Sequence, residues 1–325
     1  MKHLIRFLIF SLLFISCGNT QGNKISTADV VETGVDVPDF SADSAYLYVK
    51  KQVDFGVRAP NTAGHKSCAA YLANELRRFG AEVAEQQAVL TAYDGTKLNA
   101  VNIIGSFNPK NKTRILLAAH WDSRPFADND PDTNKHKTPI LGANDGASGV
   151  GVLLEMARQF GEKLPETGVD IVFFDAEDYG QPYFDKRAEA TNSWCLGSQY
   201  WAQNPHVPNY HARYGILLDM VGAKGASFKK DKISTVYAPH VVDKVWARAE
   251  SLGYASFFLD EEGGYITDDH VYVNEIIGIP CIDIIDFDNG FFEHWHTVKD
   301  DMSNIDKNTL KAVGATLLEV VYSEK

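Results

Sequence analysis

From Ala45 to Tyr322, strand-like segments alternate almost without a break with segments of helical periodicity. No other feature constrains the fold as tightly, because such alternation favours one α/β domain over separate all-α and all-β units. Helices are expected over 45–55, 65–79, 147–160, 239–252, 269–277 and 306–322. In the second of these, Ala69, Leu72, Leu76 and Phe79 recur at helical spacing and Gly80 supplies a stop. Strands are expected over 88–92, 100–104, 114–119, 169–174, 214–218 and 280–285, with turns at Tyr93-Asp94-Gly95 and Asn108-Pro109. Polar loops over 122–141, 179–196 and 260–269 follow several of the strands. Long loops inside a compact domain are usually functional.

The N-terminus carries a different signal. Lys2, His3 and Arg6 precede an apolar run from Phe7 to Ile15, which is too short and too early for an ordinary membrane span. It ends in Phe14-Ile15-Ser16-Cys17-Gly18, which resembles a bacterial lipobox. The expected organisation is a signal peptide over 1–16, a lipid-anchored linker over 17–40 and a catalytic domain over 41–325. Cys17 is the expected lipidation site, with plain secretory cleavage as the alternative. The chain then faces the periplasm or the cell exterior and meets the membrane through its anchor. A formal net charge of -12 argues against nucleic acid as a partner. Three further cysteines, Cys68, Cys195 and Cys281, are an odd number and form no complete disulfide framework. A Cys68–Cys195 bridge is conceivable in an oxidising compartment, and no basic neighbour marks any of the three as a nucleophile.

Acids and imidazoles gather after the apolar runs. They are His120-Trp121-Asp122, Asp145-Gly146, Asp175-Ala176-Glu177-Asp178, Asp219 after Ile216-Leu217-Leu218, and His296 between Trp295 and Thr297. In open α/β sheets functional groups collect beyond the carboxyl ends of the strands, and carboxylate with imidazole suits zinc. Each residue has a plainer reading alone. His120 is then a polar loop histidine, Asp145 a helix cap, Asp175 and Asp178 caps or solvated acids, and His294 and His296 part of a surface aromatic cluster. Five coincidences are harder to dismiss, and the adjacent acids Glu177 and Asp178 require a compensating cation. The pairs Asp300-Asp301 and Glu261-Glu262 read as solvated.

In order along the chain, Ala119-His120-Trp121-Asp122-Ser123, Gly142-Ala143-Asn144-Asp145-Gly146-Ala147-Ser148-Gly149, Asp175-Ala176-Glu177-Asp178, Leu218-Asp219-Met220 and His296-Thr297 resemble the di-zinc aminopeptidase superfamily. Within it, Trp295 before His296, Thr267-Asp268-Asp269-His270 and the loop Arg58-Ala59-Pro60-Asn61-Thr62-Ala63-Gly64 look like the glutaminyl-peptide cyclotransferases. The resemblance implies a three-layer sandwich in which a central mixed, mostly parallel sheet is flanked by helices. It implies that Asp145, Asp178 and His296 hold one zinc ion, that Glu177 is the acid/base, and that Asp219 and Asp268 orient it. Trp295 and Phe291 would line the substrate pocket, and His120 would be a vestigial or second-metal ligand. The implied substrates are peptides or proteins with N-terminal glutamine, cyclised to pyroglutamate with loss of ammonia. Animal members carry Glu where this chain has Asp178, and the loop Gln181-Pro182-Tyr183-Phe184 departs from their pattern. Two competing readings are a two-zinc aminopeptidase of the same fold, using His120 and Asp219 as further ligands, and a non-catalytic lipid-anchored binding ectodomain.

Overall fold

Parallel strands joined by helical crossovers form the centre of the molecule, and a hairpin extends it at one edge. A computed structural model describes residues 36–188, 190–288 and 290–325. The leader, Cys17 and the linker up to residue 35 lie outside the described residues. In chain order the elements are α1 Ala42–Val53, α2 Ala63–Arg78, β1 Glu82–Thr91, β2 Lys97–Phe107, β3 Arg114–His120, α3 Ala147–Glu162, β4 Gly168–Phe174, α4 Leu196–Gln203, β5 Gly215–Asp219, β6 Phe228–Lys230, α5 Lys232–Tyr237, α6 Pro239–Ser251, β7 Phe258–Glu262, α7 Asp269–Tyr272, β8 Cys281–Ile285 and α8 Lys307–Tyr322.

Six strands pair in the order β1-β2-β4-β3-β5-β8. The first two pairings are antiparallel, and the last three are parallel. Alternate side chains leave the sheet on opposite faces. Ile115, Leu117, Ile171, Phe173, Ile216 and Leu218 pack with α1, α2, α3, α6 and α8, while Leu116, Val172, Phe174 and Leu217 meet Trp201 of α4 and Val273. All seven residues of β4 are buried, as expected for a strand covered on both faces. The mixed three-layer sandwich implied by the resemblance is the fold observed.

Chain order along β4-β3-β5 positions the functional end. β3 crosses through α3 to β4 on one side, and the chain then returns to place β5 on the other. The connections diverge at the carboxyl end of β3, which opens a crevice there.

The structure departs from expectation at several points. Residues 260–262, expected to open an acidic loop, instead complete β7, which pairs in parallel with β6; Phe258 turns inward, while Lys229 and Lys230 answer Glu261 and Asp260 at 3.0 and 2.6 Å. The helix expected over 269–277 stops as α-helix at Tyr272 and continues as a π turn over Val273–Ile277, ended by Gly278 at φ 75°. Val37 and Phe40, at the end of the expected linker, pack on the core. Cys68, Cys195 and Cys281 are free buried thiols, so no Cys68–Cys195 bridge exists.

Candidate metal centre

His120 is the last residue of β3, and Asp219 the last of β5, so neighbouring parallel strands deliver both to the crevice. The segment after β4 contributes Glu177 and Asp178. Asp145 follows a loop and stands at the entry to α3, as its helix reading has it, rather than at the end of a strand. Yet it is no cap, since α3 begins after Gly146 without a side-chain cap. Its carboxylate is thereby left for the site. Asp300, expected in solvent, is fully buried and fixes this turn, its carboxylate accepting from the backbone N–H groups of Asn144 at 2.8 Å and Asp145 at 3.1 Å.

Asp145, Asp178 and His296 each present a ligand atom, all within 4.8 Å of one another. His296 Nε2 lies 3.1 Å from Asp178 Oδ1 and 3.6 Å from Asp145 Oδ2. All three residues are buried, yet Asp145 Oδ2 and both Asp178 oxygens have no hydrogen-bond partner. Buried carboxylate oxygens need a cation, a proton or a donor. Burial, reinforced by Asp122 and Asp128 and opposed by Arg124, pushes the Asp178 carboxyl up to about 8. Two carboxylates and one imidazole arranged in this way fit zinc. On its other side, His296 Nδ1 lies 3.5 Å from Asp128 Oδ1, the carboxylate support that metal-bound histidines usually have.

His120 differs. Its Nε2 lies 3.0 Å from Asp145 Oδ1 and 3.1 Å from Asp219 Oδ1. Burial opposes its protonated form, but Asp122, Asp145 and Asp219 outweigh that and raise it well above the ordinary imidazole range. Asp219, expected to orient Glu177, is thus held by His120. Asp268 lies beside Glu177: Glu177, Cys195 and Asp268 bring their polar atoms within 4.8 Å. The Cys195 thiol donates to Glu177 Oε1 at 3.2 Å. Burial, with Asp178, Asp268 and Asp269 adding to it and His120 opposing, holds the Glu177 carboxyl well above its usual value.

Asp175 belongs to the scaffold, accepting from Val101 N at 2.6 Å and pairing with His65 Nε2 at 2.8 Å. Asp122 likewise accepts from the backbone N–H groups of Glu177 at 3.0 Å and Asp178 at 3.3 Å.

Two buried guanidiniums went unread in the sequence. Arg124 donates to both Asp128 oxygens at 2.7 and 2.8 Å and to the Asp178 carbonyl at 2.9 Å. Arg58 donates to the carbonyls of Trp121, Leu141 and Gly142 at 3.0, 2.6 and 2.8 Å. A lone arginine before a proline or in a polar loop gives no sign of burial, so only the Arg-Ala-Pro segment of the resemblance hinted at Arg58.

An aromatic wall borders the centre. The Trp295 ring stacks on His296 at 3.7 Å, and Phe291 lies 4.2 Å from Trp295. Trp194, also unread, stacks on His296 at 5.8 Å with the planes 9° apart. Phe287, Phe291, Phe292 and Trp295 pack on buried Met220, Ile266 and Ile285. A cavity of about 630 Å³ lined by Asn61, His65, Lys66, Val89 and Val101 lies elsewhere; its imidazole is already engaged by Asp175.

The family model for peptidase family M28 matches residues 102–321. The chain is similar to a zinc-dependent exopeptidase from Parabacteroides distasonis, with 60% identity and a TM-score of 0.88 over 89% of this chain and 100% of that one. It is similar to a glutaminyl cyclase of Bacteroides thetaiotaomicron bound to N-acetylhistamine, with 58% identity and a TM-score of 0.88 over the same shares, 89% and 100%. The glutaminyl-peptide cyclotransferase of Bos taurus is 25% identical over 280 residues, 78% of this chain and 74% of that protein.

Proposed function

This chain belongs to peptidase family M28, and from that membership we propose that it is a single-zinc glutaminyl-peptide cyclotransferase acting on peptides or proteins with N-terminal glutamine. One observation carries the choice within the family. Trp295 stacks on His296 at 3.7 Å with Phe291 4.2 Å from Trp295, an aromatic wall that keeps water from the Asp145–Asp178–His296 group and favours ring closure over hydrolysis. His120, Asp145 and Asp219 also bring ligand atoms within 4.8 Å of one another, so bound zinc per chain is the quantity that separates a one-zinc enzyme from a two-zinc peptidase. The similarity to glutaminyl cyclases at 57 and 58% identity supports the same reading.

Asp145, Asp178 and His296 would hold the zinc. When bound, it supplies Lewis-acid polarisation of the substrate's γ-carbonyl. Glu177 takes a proton from the α-amine, whose lone pair then forms the new bond to the side-chain amide carbonyl carbon, Cδ of the glutamine. As the C–N bond of the side-chain amide breaks, Glu177 returns the proton to the departing nitrogen, which leaves as ammonia. A carboxyl held above its ordinary range suits a group that must both accept and release a proton near neutrality. Asp268 and the Cys195 thiol orient it. Trp295 and Phe291 exclude water, which would otherwise hydrolyse the amide to glutamate.

Incubation with Gln-initiated, Leu-initiated and Ala-initiated peptides tests this reading by mass spectrometry. Loss of ammonia from the first alone is expected, and release of free leucine or alanine without it would establish the peptidase.

The envelope location is proposed on the leader and Cys17. Among the described residues no helix is long and apolar enough to cross a membrane. Several acyl chains on one cysteine hold a protein stably in a bilayer. Cys17→Ser should release the protein from the membrane fraction, and unchanged processing and retention would reject lipidation.

A further inference from the structure

Beside Glu177, through Asp268, lies a second convergence of ligand atoms. Asp268 caps α7, His270 lies within that helix, and Asp283 sits in the middle of β8. One polar atom from each lies within 4.8 Å of the others. Asp268 is 4% exposed, and His270 and Asp283 are 0% exposed. Asp268 Oδ2, both His270 nitrogens and both Asp283 oxygens have no hydrogen-bond partner. We propose that Asp268, His270 and Asp283 form a second zinc site, distinct from the Asp145–Asp178–His296 centre and from the His120–Asp219 pair.

Support for the imidazole separates this cluster from a mere collection of acids. His270 Nε2 lies 3.2 Å from Asp231 Oδ2. Asp231 is itself fixed, since its carboxylate caps α5 by accepting from Ile233 N at 3.2 Å and Ser234 N at 2.6 Å. Nδ1 faces Asp283 Oδ2 at 3.9 Å, and a neutral imidazole carrying its proton on Nε2, the nitrogen nearest Asp231, would present its lone pair there. Metal-binding histidines are commonly held by a carboxylate on the far nitrogen. His296 shows the same plan, with the nitrogens exchanged: Asp128 at Nδ1 and the ligand group at Nε2. Burial and then the acids Asp268, Asp219, Asp231 and Asp269 all push the Asp283 carboxyl well above its ordinary range, a cost that a cation would relieve.

Tetrahedral zinc with ligands at about 2.0–2.2 Å places neighbouring ligand atoms about 3.4 Å apart. The 3.9 Å pair must therefore close by several tenths of an ångström, so this site binds more weakly than the first. Entry runs through the crevice, because Asp268 adjoins half-buried Glu177. Filling the site draws Asp268 toward the ion and away from Glu177. Excess zinc then slows turnover, a consequence that rests on the role proposed for Glu177, whereas the zinc count does not.

The full chain, purified in detergent with zinc, is titrated with zinc chloride while bound metal is measured by mass spectrometry and calorimetry. Wild type should take up a second, weaker equivalent. Asp283→Asn and His270→Gln should lose it and keep the first, with unchanged melting temperatures before titration. Asp231→Asn retains every ligand and should weaken the second equivalent about 10–100-fold. The proposal is overturned if wild type never exceeds one zinc. It is also overturned if the second equivalent survives Asp283→Asn and His270→Gln but disappears with Asp219→Asn, which would assign it to the His120–Asp219 pair.

Discussion

Glu177 sits where its backbone is already fixed: its N–H donates to Asp122 at 3.0 Å, and its carbonyl accepts from Cys195 N at 2.9 Å. The side chain can thus be changed without moving the loop. Glu177→Gln, nearly isosteric but unable to shuttle a proton, should lower kcat by about 10²-fold or more with KM and zinc content little changed. Retained turnover would remove Glu177 from the chemistry. Asp286, just past β8, tests a carboxyl remote from the metal centre. Burial, with Ser227 N opposing and Asp288 adding, pushes it up to about 6 from 3.8. The folded state therefore holds this proton more tightly than the unfolded chain does. The resulting stability is present below the unfolded value and is lost as pH rises through about 6. Asp286→Asn should raise Tm above wild type at pH 8 and match it at pH 4; calorimetry showing the same offset at both would contradict the assignment. Residue type alone disclosed the acids and histidines at the strand ends. It could not disclose Arg58, Arg124 or Asp300, whose roles arise from carbonyls and N–H groups brought together by distant segments.

Helix α3 reaches the sheet closely because its facing positions lack side chains. A Cβ on Gly149 would lie 2.4 Å from the Leu218 carbonyl and 3.0 Å from Ala119 Cβ, and one on Gly146 would lie 2.5 Å from His120 Cε1. That approach places Asp145 beside His120 and His296. Gly149→Ala should push the helix outward, destabilise the fold by about 1–3 kcal/mol and reduce zinc retention. A lower melting temperature with full zinc content would show that α3 packing and the metal centre are independent. Periodicity made most elements legible: α3, β3, β4, β5 and α8 lie within two residues of their expected limits. The first half of β1, Glu82-Val83-Ala84-Glu85-Gln86-Gln87, was unread because an edge strand pairs through its backbone and tolerates polar residues. Short β6 and acidic β7 were hidden for a related reason, as their charges are answered by lysines across the pair rather than by an apolar pattern.

Across the whole molecule, one sheet supplies both stability and site. The four parallel strands are nearly all apolar until their carboxyl ends, where buried charges accumulate. Zinc held there should stabilise the fold, because a ligand that binds only the native state adds about 4 kcal/mol when its free concentration is about a thousand times Kd. Chelation should lower Tm and zinc should restore it, with the shift following zinc concentration; a Tm indifferent to chelator would mean that the buried acids are neutralised by protons alone. The layered rings at the centre carry a last consequence. The chain has five tryptophans, of which Trp201 and Trp246 belong to the apolar core, while Trp194 and Trp295 stack against the imidazole of His296. Indole emission responds to positive charge placed against the ring. The stacked rings should therefore act as an intrinsic optical gauge: fluorescence should follow what His296 holds, in real time and without substrate, and a Trp194→Phe and Trp295→Phe pair should silence the signal.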